Sequence, residues 1–310
     1  LVGVGLDRVL MELDPVLDAH TPSAQYDAVR AAINGVLGDE LAANDNPLAI
    51  PTTLRLARQV LPLERTALAA QHPGVGGRLL LLVHGSAMDD SAWTRAGHDH
   101  GEALARDLGL VPITVRYNSG RHTSTNGAEL AQLLERLVQA WPVPVESLVI
   151  LSFSMGGLVA RAAVHTAEQT GLSWRSKLTR MVFLGTPHHG APLERAGNVL
   201  GALLDLTPYT APLADLAQIR SAGVTDLRYG NVLDAHWEGH DRFASTSPPR
   251  LPCPLPKGVT CYAVAGTMRD GNGPIGDGLV PVTSALGQHT DAAQELGIAP
   301  ERTHVVVGAK

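Results

Sequence analysis

Aromatic residues are scarce in this 310-residue chain: Phe, Tyr and Trp together make 4%. Charge is scarce as well, at 17% against the ~25% usual for a soluble domain, and this points to a large interior relative to surface. The 24 Lys and Arg are outnumbered by 30 Asp and Glu, and they form no basic stripe, which argues against a nucleic-acid partner. Only Cys253 and Cys261 carry thiols, too few for a disulfide framework or a four-cysteine zinc site, although one bridge between them is open. The longest purely aliphatic run, Leu79 to Val83, is far too short to cross a bilayer. Glycine-rich phosphate loops of Rossmann or Walker type are missing, so nucleotide use is not expected, and no other cofactor is called for. The chain begins at Leu1 without a methionine and stops at Lys310 directly after an apolar run, so both ends read as cut. The compartment stays open, with the cytoplasm favoured.

What the chain does have is apolar residues, 45% of the total, together with 32 Gly and 21 Pro. That content excludes disorder and suits one sizeable core. The first 70 residues read as helical. Leu6, Val9, Leu10, Leu13 and Leu17 share one helical face, and Tyr26, Val29, Ile33, Val36 and Leu37 repeat the pattern before Gly38 supplies a stop. From Arg78 the texture changes to alternation. Strands are predicted over 78–83, 110–117, 148–151, 179–184, 259–265 and 305–307, with helices around 99–108, 126–137 and 158–167. Asn126 with Glu129 resembles a capping box for the second of these helices. This order predicts an α/β fold with a mostly parallel, doubly wound sheet. It is preceded by a helical N-terminal extension over 1–75 and interrupted by a cap or lid insertion over 190–257, where regularity lapses.

The most informative residues are Leu151-Ser152-Phe153-Ser154-Met155-Gly156-Gly157, where a buried strand turns into a helix. A nucleophile at such a tip is exposed beside a helix N-terminus, and small residues must flank it because strand and helix backbones approach closely. Gly156 meets that need, while Ser152 replaces the first glycine of Gly-x-Ser-x-Gly. Ser154 is the predicted nucleophile. Val83-His84-Gly85-Ser86 ends the first buried strand, where the backbone amides of Ser86 and Met155 would form an oxyanion hole and His84 would be structural. Asp277 in Gly276-Asp277-Gly278-Leu279-Val280-Pro281 follows a later strand, the station of the acid that orients an imidazole.

These pieces, with Arg116-Tyr117-Asn118-Ser119-Gly120-Arg121-His122 and Thr186-Pro187-His188-His189-Gly190, resemble the α/β-hydrolase lipases and esterases. The resemblance is greatest to bacterial lipases related to the GPI inositol-deacylase group, and it spans residues 83 to about 285. It implies a serine carboxylic-ester hydrolase working through a Ser-His-Asp triad and an acyl-enzyme on lipid-like or acyl esters, without metal or cofactor. The family has Gly-His before the nucleophile where this chain has Ser152-Phe153. In this fold the histidine follows the last strand, which here begins at His304, roughly 13 Å from the carboxyl edge at ~3.3 Å per residue. The base is therefore expected just beyond Lys310, with His304 and then His289 as in-chain fallbacks.

Other patterns take plainer readings. Asp270-Gly271-Asn272-Gly273 reads as a tight loop rather than a calcium site, His98 and His100 as a solvated face, and His188 and His189 as loop-fixing groups. Two rivals share the same residues. One is a catalytically impaired hydrolase-fold protein that binds or scaffolds. The other is an acyltransferase using the same site.

Overall fold

The computed structural model describes residues 24–191, 221–241, 250–267 and 279–308. Helix α1 (Ala24–Ala43) is followed by strands β1 (Thr53–Leu56) and β2 (Gln59–Val60) and helix α2 (Arg65–Gln71). Next come β3 (Arg78–Val83), a small ribbon of β4 (Thr94–Arg95) and β5 (His98–Asp99), α3 (His100–Leu108) and β6 (Val111–Arg116). Then follow α4 (Thr123–Ala140), β7 (Ser147–Phe153), α5 (Met155–Thr170) and β8 (Leu178–Leu184). The last described elements are α6 (Ala222–Tyr229), β9 (Thr260–Thr267), α7 (Val282–Ala285) and β10 (Thr303–Val307).

Eight strands form one sheet in the order β10-β9-β8-β7-β3-β6-β1-β2. The six from β10 to β6 are parallel, and β1 and β2 add an antiparallel edge. The apolar run of β3 is continuous because both faces are covered. Leu79, Leu81 and Val83 join Leu130, Leu134 and Leu137 of α4 and Val159, Ala163 and Val164 of α5 in the larger core. Leu80 and Leu82 face the other way, with Trp93, Leu151 and Leu104 of α3.

The expected α/β fold is thus present, with three corrections. Residues 53–60 are strands of the main sheet, not helix. The hairpin turns through Ala57 and Arg58, both at positive φ, and carries no glycine to announce it. Gly38 does not end α1, which continues to Ala43. A Cβ on Gly38 would lie 1.8 Å from Asn118 Oδ1, and Asn118 Nδ2 donates to Gly38 O at 2.8 Å, so the glycine permits a close approach. Nor do Asn126 and Glu129 cap α4. The N-cap is His122, and Asn126 is buried inside the first turn, donating to Asn118 O at 2.9 Å. Glu129 instead accepts from Thr52 and Arg121, each at 2.6 Å.

Asp99 caps α3 by accepting from Glu102 N, and the His98 and His100 rings meet edge to face. Cys253 and Cys261 are free and buried, so the open possibility of a bridge is not realised. Within 190–257 the described part packs on the N-terminal helix: Ser221 Oγ donates to Gly35 O and Ala222 N to Asp39. The apolar residues Val199 to Ile219 lie outside the described residues, as do Leu6 to Leu17.

Candidate active site

Ser154 occupies the single residue between β7 and α5, with φ 51° and ψ −123°. A side chain at positive φ with extended ψ costs of order 1–3 kcal/mol and persists only where its surroundings enforce it. Here Ser154 N donates to Leu184 O at 2.8 Å, and Gly157 N donates back to Ser154 O at 3.1 Å. The two glycines after the turn are forced. A Cβ on Gly156 would lie 2.4 Å from His84 O and 2.5 Å from Val83 O, and one on Gly157 would lie 2.0 Å from Thr186 Oγ1. Ser152, in the place of the motif's first glycine, is accommodated because its hydroxyl turns along the sheet and donates to Val182 O at 3.1 Å.

The end of β3 lies against this turn. A Cβ on Gly85 would lie 3.0 Å from the Phe153 ring and 3.3 Å from Ser154 Cβ, so a side chain there would press on the serine turn. Among the described residues, neither Ser86 N nor Met155 N donates to a backbone oxygen. Met155 N belongs to the first turn of a helix, where amides lack intrahelical partners and the dipole favours negative charge. Phe153, beside Ser154, keeps 37% of its surface exposed.

His84 is structural, as expected. It is buried, stacks on Tyr117 with centroids 4.2 Å apart, and accepts from Tyr117 N while its Nδ1–H donates to Gly85 O. Burial holds its pKa below the ordinary histidine value, so the ring is the neutral Nδ1–H tautomer. His188 is also buried, and its Nδ1 accepts from Arg161 at 3.3 Å. Burial and then Arg161 push its pKa well down. The backbone N–H of His189 donates to Ser284 Oγ, and burial takes its imidazole to about 4. Asp277 lies outside the described residues, together with Asp270-Gly271-Asn272-Gly273.

Of the fallback histidines, His289 is exposed, with its Nδ1 accepting from Asp291 N. His304 pairs in register with Val264, Val264 with Leu184, and Leu184 with Phe153. It therefore stands level with the serine turn rather than below it, because the carboxyl edge of the sheet is stepped. The separation is sideways: three strand spacings, about 14 Å. Among the described residues no group of three or more His, Cys, Asp or Glu is gathered to hold a metal.

Two features escaped the sequence reading. Asp226 on α6 is fully buried and accepts from Thr123 N at 2.7 Å, His122 Nδ1 at 3.0 Å and Asn231 Nδ2 at 3.0 Å, which ties α6 to the start of α4. Trp237 stacks on the His122 ring at 3.6 Å and donates to Ser124 Oγ. Separately, Ser119 Oγ accepts from Ala87 N behind the Ser86 loop. Apart from the Asp226–Asn231 bond, each contact joins residues more than 30 positions apart, and no local pattern announces it.

Residues 118–250 match the family model of the PGAP1-like alpha/beta domain. Among solved structures, a mature lipase from Bacillus licheniformis is similar at 19% identity over 73% of this chain and 89% of its own, with a TM-score of 0.44. A phospholipase from Legionella pneumophila is similar at 14% identity over 67% of this chain and 45% of its own, with a TM-score of 0.44. For an esterase from Pyrococcus furiosus the figures are 13%, 76%, 73% and 0.40. No curated protein matches the chain in sequence. The parallel sheet with its antiparallel edge and the strained serine after the fifth strand in from that edge give the chain an α/β-hydrolase fold, within which residues 118–250 are similar to the PGAP1-like alpha/beta domain.

Proposed function

We propose that the protein is a serine carboxylic-ester hydrolase of the lipase and esterase type. The observation that carries this reading is Ser154, held at φ 51° between β7 and α5, with Gly85 against its Cβ and the Ser86 and Met155 amides without a backbone partner among the described residues. In the reaction Ser154 Oγ attacks the acyl carbon as its proton passes to an imidazole, and the two amides receive the developing oxyanion. The alcohol leaves with that proton, and water then hydrolyses the acyl-enzyme by the same route. We assign the orienting acid to Asp277 and the base to a histidine following β10. His304 is the alternative within the chain. The exposed Phe153 beside the nucleophile supports an apolar acyl substrate. The PGAP1-like match supports an ester bond as the scissile one.

Fluorophosphonate labelling of the full-length protein tests the reading. Label is expected on Ser154, with loss of both label and ester turnover in Ser154→Ala. A folded protein that neither labels nor turns over acyl esters would overturn it and favour the binding-module reading. Adding an alcohol acceptor separates hydrolysis from acyl transfer, since only the latter diverts product to a new ester.

A further inference from the structure

We propose that Ser119 is a positioning residue for the oxyanion hole, acting on the Ser86 donor through Ala87; this role rests on the ester-hydrolase reading above. Ala87 follows Ser86 and is held at φ 56°, a left-handed conformation that a residue with a Cβ adopts at a cost. Two contacts hold it there. Ser119 Oγ, itself 1% exposed, accepts from Ala87 N at 2.9 Å. On the other side α1 packs at a glycine: a Cβ on Gly35 would lie 2.7 Å from the Ala87 methyl.

An amide hydrogen fixes the plane of its peptide, so the hydroxyl sets the peptide between Ser86 and Ala87. With Ala87 seated, the direction of the preceding Ser86 N–H is restricted as well. Ser119 is itself braced. The neighbouring Gly120 lies so close to α1 that a Cβ there would meet Asn34 O at 2.1 Å, and Gly120 O accepts from Gly223 N at 2.9 Å. Gly223 in turn sits over Met155, whose Cε would lie 3.0 Å from a Cβ on that glycine. The Asn118-Ser119-Gly120 turn thus touches the supports of both donors.

The test is Ser119→Ala, with Ser119→Thr as the hydroxyl-keeping variant, in the full-length protein. Steady-state turnover of a p-nitrophenyl acyl ester and amide hydrogen exchange of the 84–90 segment are measured together. The expected result for Ser119→Ala is faster exchange at Ala87 and kcat lowered roughly tenfold to a hundredfold, with KM within about twofold. Binding of a boronic acid, which is tetrahedral when bound to the serine, should weaken in step with kcat. Ser119→Thr should recover most of both. Unchanged exchange, or faster exchange with wild-type kcat, would overturn the role of Ser119 alone. A folded wild type no more active than Ser154→Ala would overturn the ester reading and this role with it.

Discussion

Replacing Gly156 by alanine probes how tightly the first turn of α5 must sit against the end of β3. The new methyl would start 2.4 Å from His84 O and 2.5 Å from Val83 O, both backbone atoms that cannot rotate away. Cβ contacts under 3.0 Å are essentially never seen, so the helix start must back off by roughly half an ångström or more. Overpacking of this kind costs about 1–3 kcal/mol. The gain in helix propensity from Gly to Ala offsets about 1 kcal/mol. A net loss of about 0–2 kcal/mol should lower Tm by only a few degrees in a chain of this size. Activity should fall much further, because the same displacement moves Met155 N relative to Ser86 N, and loss of one oxyanion donor costs about 10²–10³ in kcat. The matched control is Gly171→Ala at the other end of the same helix. Gly171 has φ 69° with nothing within 4 Å of a Cβ, so it should lose a similar amount of stability through backbone strain alone. Initial rates on a p-nitrophenyl ester, read beside thermal melts, separate the two effects. If Gly156→Ala kept turnover within about threefold of the Gly171→Ala control at equal loss of Tm, helix seating would not set the oxyanion geometry.

Two further outcomes follow from the buried polar groups. Asp226→Asn should cost about 2–3 kcal/mol in urea unfolding, since it removes the charge from a carboxylate that accepts from Thr123 N, His122 and Asn231; a loss under about 0.5 kcal/mol would mean that α6 is held by packing alone. Stability should fall on acidification from about pH 6.5 towards 4, because His188 titrates well below the ordinary histidine value and His189 and His236 at about 4 in the folded state. In that window the unfolded chain binds protons that the native one does not, so stability rises with pH. Urea midpoints flat between pH 7 and 4.5 would refute it. His236→Asn should flatten the slope, since the His236 ring accepts from Val232 N as a neutral group.

The serine turn was legible because everything it needs is local: a buried strand, a tip residue and glycines where two backbones cross. The same locality explains the misreadings. A glycine that ends a helix and one that admits a neighbouring loop look alike in sequence, and Gly38 is the second kind because Asn118 arrives from 80 residues away. Asn126 and Glu129 have the spacing of a cap, yet tertiary partners claim both. Strand β1 escaped because Thr53-Leu54-Arg55-Leu56 buries only Leu54 fully, too short a signal to register. The serine-supporting contact from Ser119 joins residues 32 positions apart, and only the fold brings them together.

The backbone at Ser154 also carries an evolutionary price. At φ 51° and ψ −123° a glycine would sit without strain, so the position lies below its own stability optimum for as long as it holds a hydroxyl. Replacing the serine by glycine would relieve up to about a few kcal/mol of that strain. On the proposed reading, use of the Ser154 hydroxyl is what keeps a serine at this strained and buried position.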